Sequence, residues 1–432
     1  MHRLKGVLCC VFKVSGSVLK RILKLTLYEV LWVCSVSLIL FTYWAWTSQT
    51  VNKDNTSLKN PILLWWTSGF PGTTGTLFCQ DVNCDIFTRN EVKVPNVDAF
   101  LFYASNIDFE DLPLPRKLND IWGLYHEESP RNVEELMHEN GLRLFNYSAT
   151  FSRYSDVQFP LQYLESLDDI TTTKYFVKTK DKNDLLKDIS PILYLQTDCE
   201  TATERDEYVK ELMKHIEIDS YGACLNNKEM PKRFTDDYLN NLNDDDFLHF
   251  IARYKFVIAI ENGVCDDYIT EKFWRAIKVG SVPIYFGSPT VRDWFPNERS
   301  AILIEDHPTP RRMSEYLNRL IKDDDLYNLY LIHKTDKEIN NQRLIEEYNS
   351  KPWQRDHILA ANKFECFVCR RVHEMRQKVL PPQIINKSHY NCPKPISALT
   401  LQVNPTNDWV YSWHRAKERA EEIYRRVENN KN

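Results

Sequence analysis

The stretch CDDYITEKFWRAIK at residues 265–278 carries Tyr268, Glu271, Lys272 and Arg275 at the spacing i, i+3, i+4, i+7. On a helix these four share one face, while Ile269, Phe273, Ala276 and Ile277 share another that reads as core. Lysine and arginine near a helix N-terminus neutralise an anion such as a phosphate. The glutamate can accept two hydroxyls of a ribose or sugar, and the tyrosine can pack or hydrogen-bond beside them. Arg205 offers a second cation, because it opens a predicted helix directly after the apolar run ILYLQTD (192–198). Two cations from two helix N-termini at one sheet edge suit a diphosphate. The pattern alone leaves ordinary surface ion pairs open, with Glu271 and Arg275 at i, i+4 as the first of them.

Acid–base chemistry has its own candidates. In YHEESPRN (125–132), Glu127 and Glu128 end a strand-like run, where a carboxylate can act as a general base or cap a helix starting near Pro130. FSRYSD (151–156) offers Arg153 and Ser155 at a similar strand end. The acidic runs NDDDF (243–247) and KDDDL (322–326) imitate metal-holding D-x-D motifs. They flank helices in polar surroundings instead of following an apolar strand, and read as solvated turns.

These residues need elements to position them. YKFVIAI (254–260) and SVPIYFG (281–287) bracket the first helix and read as strands buried on both faces, which makes the helix a crossover. Open α/β sheets bind ligands at the C-terminal ends of such strands. PILYLQTD (191–198), a helix over ERDEYVKELMKHI (204–216), EIDSYG (217–222), AILIED (301–306) and a helix over 311–322 continue the alternation. Upstream, PILLWW (61–66), AFLFYAS (99–105), IWGLYHEE (121–128), RLFNYSAT (143–150) and TKYFVK (173–178) predict a first α/β unit, joined through a polar link, TKDKNDLLKD (179–188). The fold class is α/β, with two Rossmann-like lobes, 61–180 and 190–345, whose parallel sheets face a cleft. A cysteine-containing segment, 346–432, follows. It ends in a helix with Trp409, Trp413, Ala416, Ala420, Ile423 and Val427 in a 4, 3, 4, 3, 4 stripe, which either docks on its own domain or forms a coiled coil. Neither G-x-G-x-x-G nor a P-loop motif occurs, and only 11 glycines are present, which removes the support for dinucleotide oxidoreductase and P-loop readings.

At 432 residues and a net charge of −5, the chain is long enough for two domains and lacks the basic field of a nucleic-acid binder. Charge is unevenly placed. Residues 1–24 hold Arg3, Lys5, Lys13, Lys20, Arg21 and Lys24 without an acid, and VLWVCSVSLILFTYWAW (30–46) carries no charge. Residues 25–46 therefore predict a transmembrane helix, a signal anchor with Trp44 and Trp46 at one interface, between a cytosolic tail (1–24) and a stem (47–60). A cleaved signal peptide fits less well, since the basic leader is too long and no small-x-small site follows. The topology is type II, with the C-terminal part luminal.

The sequons at Asn55, Asn146 and Asn386 agree with that side. So do eight cysteines beyond the anchor, Cys79, Cys84, Cys199, Cys224, Cys265, Cys366, Cys369 and Cys392, which read as disulfides of undetermined connectivity. CFVC (366–369) and HYNC (389–392) leave a zinc site as the alternative.

The segment YKFVIAIENGVCDDYITEKFWRAIKVGSVPIYFGSP resembles the diagnostic core of the inverting fucosyltransferases of glycosyltransferase family 10, F-x-x-x-x-E-N-x-x-x-x-D-Y-x-T-E-K and then V-P-V-x-x-G. LYHEESPRN, FNYSATFSRYSD and ERDEYVKELMKHIEIDSYGACLNN extend the likeness from Ile62 to about Cys369. PLPRK, HEESPRN and CDDYITEKFWR look closest to the subgroup that O-fucosylates protein hydroxyls on folded, cysteine-rich EMI-type domains in the endoplasmic reticulum.

The resemblance implies a GT-B arrangement, GDP-fucose as donor, inversion from β to α, and no metal or other cofactor. It implies Glu128 as catalytic base, Arg205 and Lys272 on the diphosphate, Glu271 on the ribose, and Asn262 and Tyr268 lining the donor site. Arg153 matches a basic residue of the family's T-Y-R-R-D-S segment, which reads T-F-S-R-Y-S-D in this chain with Ser152 in place of the first arginine, and it is a candidate donor or acceptor contact. Arg275 receives no role. The family's paired cysteines suggest Cys79 and Cys84 as partners of Cys366 and Cys369. The acceptor is a serine or threonine of an EMI-type domain, or alternatively N-acetylglucosamine of an N-glycan. An inactive luminal binding protein is the reading from another class. The implied location is the Golgi or endoplasmic reticulum membrane.

Overall fold

In the computed structural model, residues 60–69, 74–89, 96–234, 244–377 and 383–431 are described, together with Trp32. Apolar runs buried on both faces become the central strands of two sheets. The first sheet contains β1 (Ile62–Trp65), β2 (Gly75–Cys79), β3 (Val82–Thr88), β4 (Ala99–Tyr103), β5 (Ile121–His126), β6 (Tyr147–Thr150) and β7 (Val157–Gln158) in the order β2-β3-β1-β4-β5-β6-β7. All its pairings are parallel except the β2–β3 hairpin. The second contains β8 (Ile192–Leu195), β9 (Ile218–Tyr221), β10 (Phe256–Ile260), β11 (Val282–Phe286) and β12 (Ile302–Leu303), wholly parallel in the order β12-β11-β10-β8-β9.

The helices used below are α1 (Thr179–Leu185), α2 (Arg205–Leu212), α3 (Asp245–Ala252), α4 (Glu271–Val279), α5 (Pro310–Lys322), α6 (Gln342–Ser350), α7 (His357–Arg376) and α8 (Asp408–Asn429). Tyr208, Val209 and Leu212 of α2 and Met313, Leu317 and Leu320 of α5 share a core with Ile258 and Ile284 of the second sheet. Phe273, Trp274 and Ile277 of α4 pack with Ala259 and Tyr285 in a separate core. Parallel strands with interposed helices fit the GT-B arrangement.

The structure departs from two expectations. Residues 173–178 form no strand, and the polar link holds α1. Lys182 in that helix is fully buried, and its Nζ donates to the carbonyls of Tyr254 at 2.7 Å and Gly280 at 2.8 Å and to Ser281 Oγ at 3.1 Å. A lysine-rich run looks solvated in sequence because acceptors some 70–100 residues away do not show there.

After the second sheet the chain returns to the first. Ala360, Ala361, Phe364, Val368 and Val372 of α7 are buried in the first-lobe core, and Cys366 and Cys369 bond to Cys79 and Cys84 on the β2–β3 hairpin. Cys199–Cys224 and Cys265–Cys392 complete the set. The zinc alternative is overturned, because Cys366, Cys369 and Cys392 are all in disulfides. Val410, Ala416, Ala420, Ile423 and Val427 of α8 are buried. His138 Nε2 meets the Trp413 carbonyl at 2.9 Å and Arg419 pairs with Glu135 at 3.1 Å, so the tail helix docks on its own chain.

No helix among the described residues is long and apolar enough to cross a membrane, and the expected span at 25–46 lies outside them except for Trp32. Asn55 also lies outside. Asn386 is exposed and caps a short turn through its Oδ1, 2.9 Å from the Ser388 amide. Asn146 is 5 % exposed, and both ends of its side-chain amide are hydrogen-bonded. Its Oδ1 accepts from Arg116 Nη2 at 2.7 Å and the Trp122 amide at 2.8 Å, and its Nδ2 donates to the Gln383 carbonyl at 2.8 Å. Burial and these bonds disfavour a glycan on that nitrogen and give the asparagine a structural role.

Glycopeptide mapping of the chain expressed through the secretory pathway is expected to find Asn146 unmodified. Asn146→Ala should lower stability by roughly 3 kcal/mol or more, because it strands a buried guanidinium and a strand amide; glycan at Asn146 in folded protein would refute the assignment.

Glu365 on α7 generates a second test. It is 2 % exposed, accepts from Trp65 Nε1 at 2.7 Å, and burial pushes its pKa from 4.5 to about 7. A carboxyl raised on folding costs stability as pH climbs from its unfolded value through its folded one. Glu365→Gln keeps an acceptor for Trp65 and removes that cost. Melting temperatures from pH 5 to 8 should fall less steeply in the variant, by an amount worth on the order of 2–3 kcal/mol at pH 8; parallel profiles would rule the effect out.

Candidate active site

β5 delivers the first group. Its last residue, His126, is fully buried, bonds Tyr390 Oη through Nδ1 at 2.8 Å, and is pushed down to about 3 by burial, so it is a neutral anchor. Ser129 then caps the turn of 3-10 helix at Pro130–Met137, accepting from the Arg131 amide at 3.3 Å. Capping therefore falls to the serine, and the two glutamates are released from it. Glu127 Oε1 accepts from Tyr103 Oη at 2.6 Å, and burial raises its pKa. Glu128 Oε2 accepts from Tyr268 Oη at 3.3 Å, a bond that crosses from the first lobe to the second.

The second lobe supplies cations. The α4 helix begins at Glu271 with Thr270 as its N-cap, so Tyr268 and Ile269 precede it and the four-residue stripe shortens to Glu271, Lys272 and Arg275. Tyr268 is 2 % exposed, packs on Phe151 at 5.0 Å between ring centroids, and presents its hydroxyl to Glu128. Lys272 Nζ lies 3.1 Å from Glu271 Oε1, 3.2 Å from Thr270 Oγ1 and 3.8 Å from Glu261 Oε2. Burial disfavours its charge, but Glu271 and Glu261 outweigh burial and raise its pKa. For Glu271 burial acts upward, and the charges of Lys272 and Arg275 bring it down to about 2. The Arg275 guanidinium sits over the Phe247 ring at 5.8 Å and reaches the site through its field on Glu271.

Arg205 opens α2 and is 1 % exposed. Its Nη1 donates to the carbonyl of Ile260, the last residue of β10, at 3.4 Å, and its Nη2 donates to the Asp198 carbonyl. The Asp198 carboxylate stands 3.6 Å from Arg205 and 3.1 Å from Arg131 of the first lobe. Arg205 Nε and Asn262 Oδ1 are buried polar atoms without a hydrogen-bond partner. Such atoms at a sheet edge are ready for a ligand that satisfies them.

Arg153, the candidate substrate contact, is engaged by partners within the protein. Its Nε donates to Asp267 Oδ2 at 2.8 Å, its Nη1 to Asp293 Oδ2 at 2.7 Å, and its guanidinium lies 4.9 Å from the Trp294 ring. It joins the lobes through ion pairs. Ser155 is buried, and its Oγ donates to the Ser152 carbonyl at 2.9 Å, holding a turn. The acidic runs serve as helix caps: Asp244 accepts from the Asp246 amide at 2.7 Å and Asp323 from the Leu326 amide at 3.0 Å.

Pattern reading missed Glu261, Tyr103 and Tyr163. The signal for Glu261 was an acid directly after the apolar run of β10. It is fully buried, and burial raises it to about 7. Tyr163 is raised well above its ordinary value by burial first, then by Glu128, Glu271, Glu261 and Glu127. One phenol thus senses carboxylates from both lobes, and Lys272 in turn feels the charge of Arg205.

Two family models match the chain, "Fucosyltransferase, N-terminal" over residues 58–162 and "Glycosyltransferase family 10 (fucosyltransferase) C-term" over residues 186–387. A rat (Rattus norvegicus) protein named GDP-fucose protein O-fucosyltransferase 3 is 41 % identical over 390 residues, covering 86 % of this chain and 80 % of its own. The human (Homo sapiens) protein of that name is 40 % identical with the same coverage. Among solved structures, a crystal structure of alpha1,3-fucosyltransferase with GDP-fucose aligns at a TM-score of 0.39 and 14 % identity, over 68 % of this chain and 91 % of that one. The chain belongs to glycosyltransferase family 10, the fucosyltransferases.

Proposed function

We propose that this chain transfers L-fucose from GDP-β-L-fucose, with inversion, to a serine or threonine hydroxyl of a folded, cysteine-rich domain of EMI type, from the luminal side of an endoplasmic reticulum or Golgi membrane. The observation that carries the reading is the hydrogen bond from Tyr268 to Glu128, which sets a first-lobe carboxylate against the segment bearing Glu271 and Lys272. The relatives' names support a protein hydroxyl as acceptor, and the EMI-type domain follows from the resemblance of PLPRK, HEESPRN and CDDYITEKFWR.

In this reading Glu128 removes the proton of the acceptor hydroxyl as it attacks the anomeric carbon. Lys272 and Arg205 neutralise the diphosphate as the bond to fucose breaks, and Glu271 takes the ribose. The protein's own cations meet the leaving-group charge, so the proposal requires no metal, and transfer should persist in a chelator.

Incubation of the full chain with GDP-fucose and a folded EMI-type domain is expected to add one deoxyhexose that peptide N-glycosidase leaves in place. Loss of the label with the N-glycans would redirect the assignment to a sugar acceptor. Glu128→Gln should reduce kcat by about 10² to 10⁴, and Lys272→Ala should reduce kcat/KM by about 10² to 10³. Wild-type turnover in either folded variant would refute the role of that residue.

A further inference from the structure

Glu261 lies outside every role assigned so far, yet it is fully buried and bonded through both backbone and side chain. Its backbone is fixed at the end of β10, where its amide donates to the Phe286 carbonyl at 2.9 Å and its carbonyl accepts from Thr203 Oγ1 at 2.7 Å. Both carboxylate oxygens turn to one residue. Oε1 accepts from the Thr270 amide and Oε2 from Thr270 Oγ1, each at 2.8 Å. Since the Thr270 hydroxyl proton is committed to Glu261, its lone pairs face the other way. They accept from Lys272 Nζ at 3.2 Å and from the Lys272 amide at 3.4 Å. The fold reserves the space this needs: a Cβ on Gly287 would stand 2.5 Å from Glu261 Cγ.

We infer that Glu261 is a positioning residue for donor binding, fixing the Lys272 ammonium and the first turn of α4 through the Thr270 hydroxyl. The inference rests on the reading that Lys272 takes the diphosphate. A carboxylate can accept from both Thr270 donors at once, whereas a carboxamide has one acceptor oxygen. In Glu261→Gln the amide nitrogen must donate to Thr270 Oγ1, so the hydroxyl proton turns away from residue 261 and competes with the Lys272 ammonium. Removing the hydroxyl in Thr270→Val breaks the same chain at its middle.

The test is calorimetric titration of GDP into the full chain and its variants, with steady-state kinetics alongside. Glu261→Gln and Thr270→Val are each expected to weaken GDP about tenfold and raise the donor KM by a similar factor, leaving the acceptor KM unchanged. Thr270→Ser, which keeps the hydroxyl, should restore the affinity lost in Thr270→Val. The double variant Glu261→Gln/Thr270→Val should be no weaker than the poorer single one, since both act on one relay. Lys272→Ala separates the two levels of inference. If it weakens GDP while folded Glu261→Gln and Thr270→Val bind as wild type, the relay is wrong and the donor-site reading stands. If Lys272→Ala leaves GDP binding intact, both fall. Should Glu261→Gln fail to fold, the Thr270 pair decides alone, and equal affinity of the valine and serine variants overturns the inference.

Discussion

The buried ion pair between Arg153 and Asp267 joins the lobes at the point where the candidate catalytic groups meet. Asp267 is fully buried at φ 64°, a left-handed conformation that aspartate tolerates better than most residues. Its carboxylate accepts from Arg153, from Thr290 Oγ1 at 2.8 Å and from Trp294 Nε1 at 2.9 Å, while its amide donates to Ser288 Oγ at 2.8 Å. Burial alone would raise this carboxyl, but its hydrogen bonds and the Arg153 charge hold it below the usual range. Removing one member of such a pair leaves an uncompensated buried charge, a loss of about 3–5 kcal/mol. The larger consequence is geometric: the next residue is Tyr268, whose hydroxyl reaches Glu128, and Thr270 caps α4 two residues later.

The same turn is held from its other end. Cys265 bonds to Cys392, and the strap that follows α7 runs back across the first lobe. Tyr390 meets His126 at 2.8 Å, and the His389 carbonyl accepts from Thr150 Oγ1 at 2.9 Å. Thus β5, which leads into the glutamate pair, and the turn before α4 share one set of supports. A disulfide that closes a 127-residue separation restricts the unfolded chain as well as the cleft.

Legibility from sequence followed the period of burial. β10 and β11 were readable because FVIAI and VPIYF are apolar on both faces. The β2–β3 hairpin was invisible. Its strands carry exposed positions such as Phe78, and it is secured by disulfides to a helix 285–287 residues away. The charged stripe on α4 was legible as a face, but Tyr268 was assigned to it wrongly, since a 100° period does not reveal that Thr270 starts the helix. Asn146 shows the limit of a three-residue motif, whose meaning depends on Arg116 and Trp122 around it. Pattern offered Glu128 and Arg205 only as candidates, and their roles came from family resemblance, because neither a turn acid nor a helix-opening arginine is distinctive alone.

The charge on Lys272 illustrates why a cation site must be built from anions. The side chain is 18 % exposed, and burial alone favours the neutral amine, which could not stabilise a departing diphosphate. Glu271 and Glu261 reverse that preference, and Thr270 accepts one of the ammonium donors. The arrangement has an electrostatic limit, since two full carboxylates at close range would compete with the ligand for the same ammonium. Glu271 is firmly ionised at about 2, whereas Glu261, raised to about 7 by burial, is close to balance at neutral pH. Both oxygens of Glu261 are committed to Thr270, so the carboxylate that supports the Lys272 charge also turns the Thr270 hydroxyl toward that lysine.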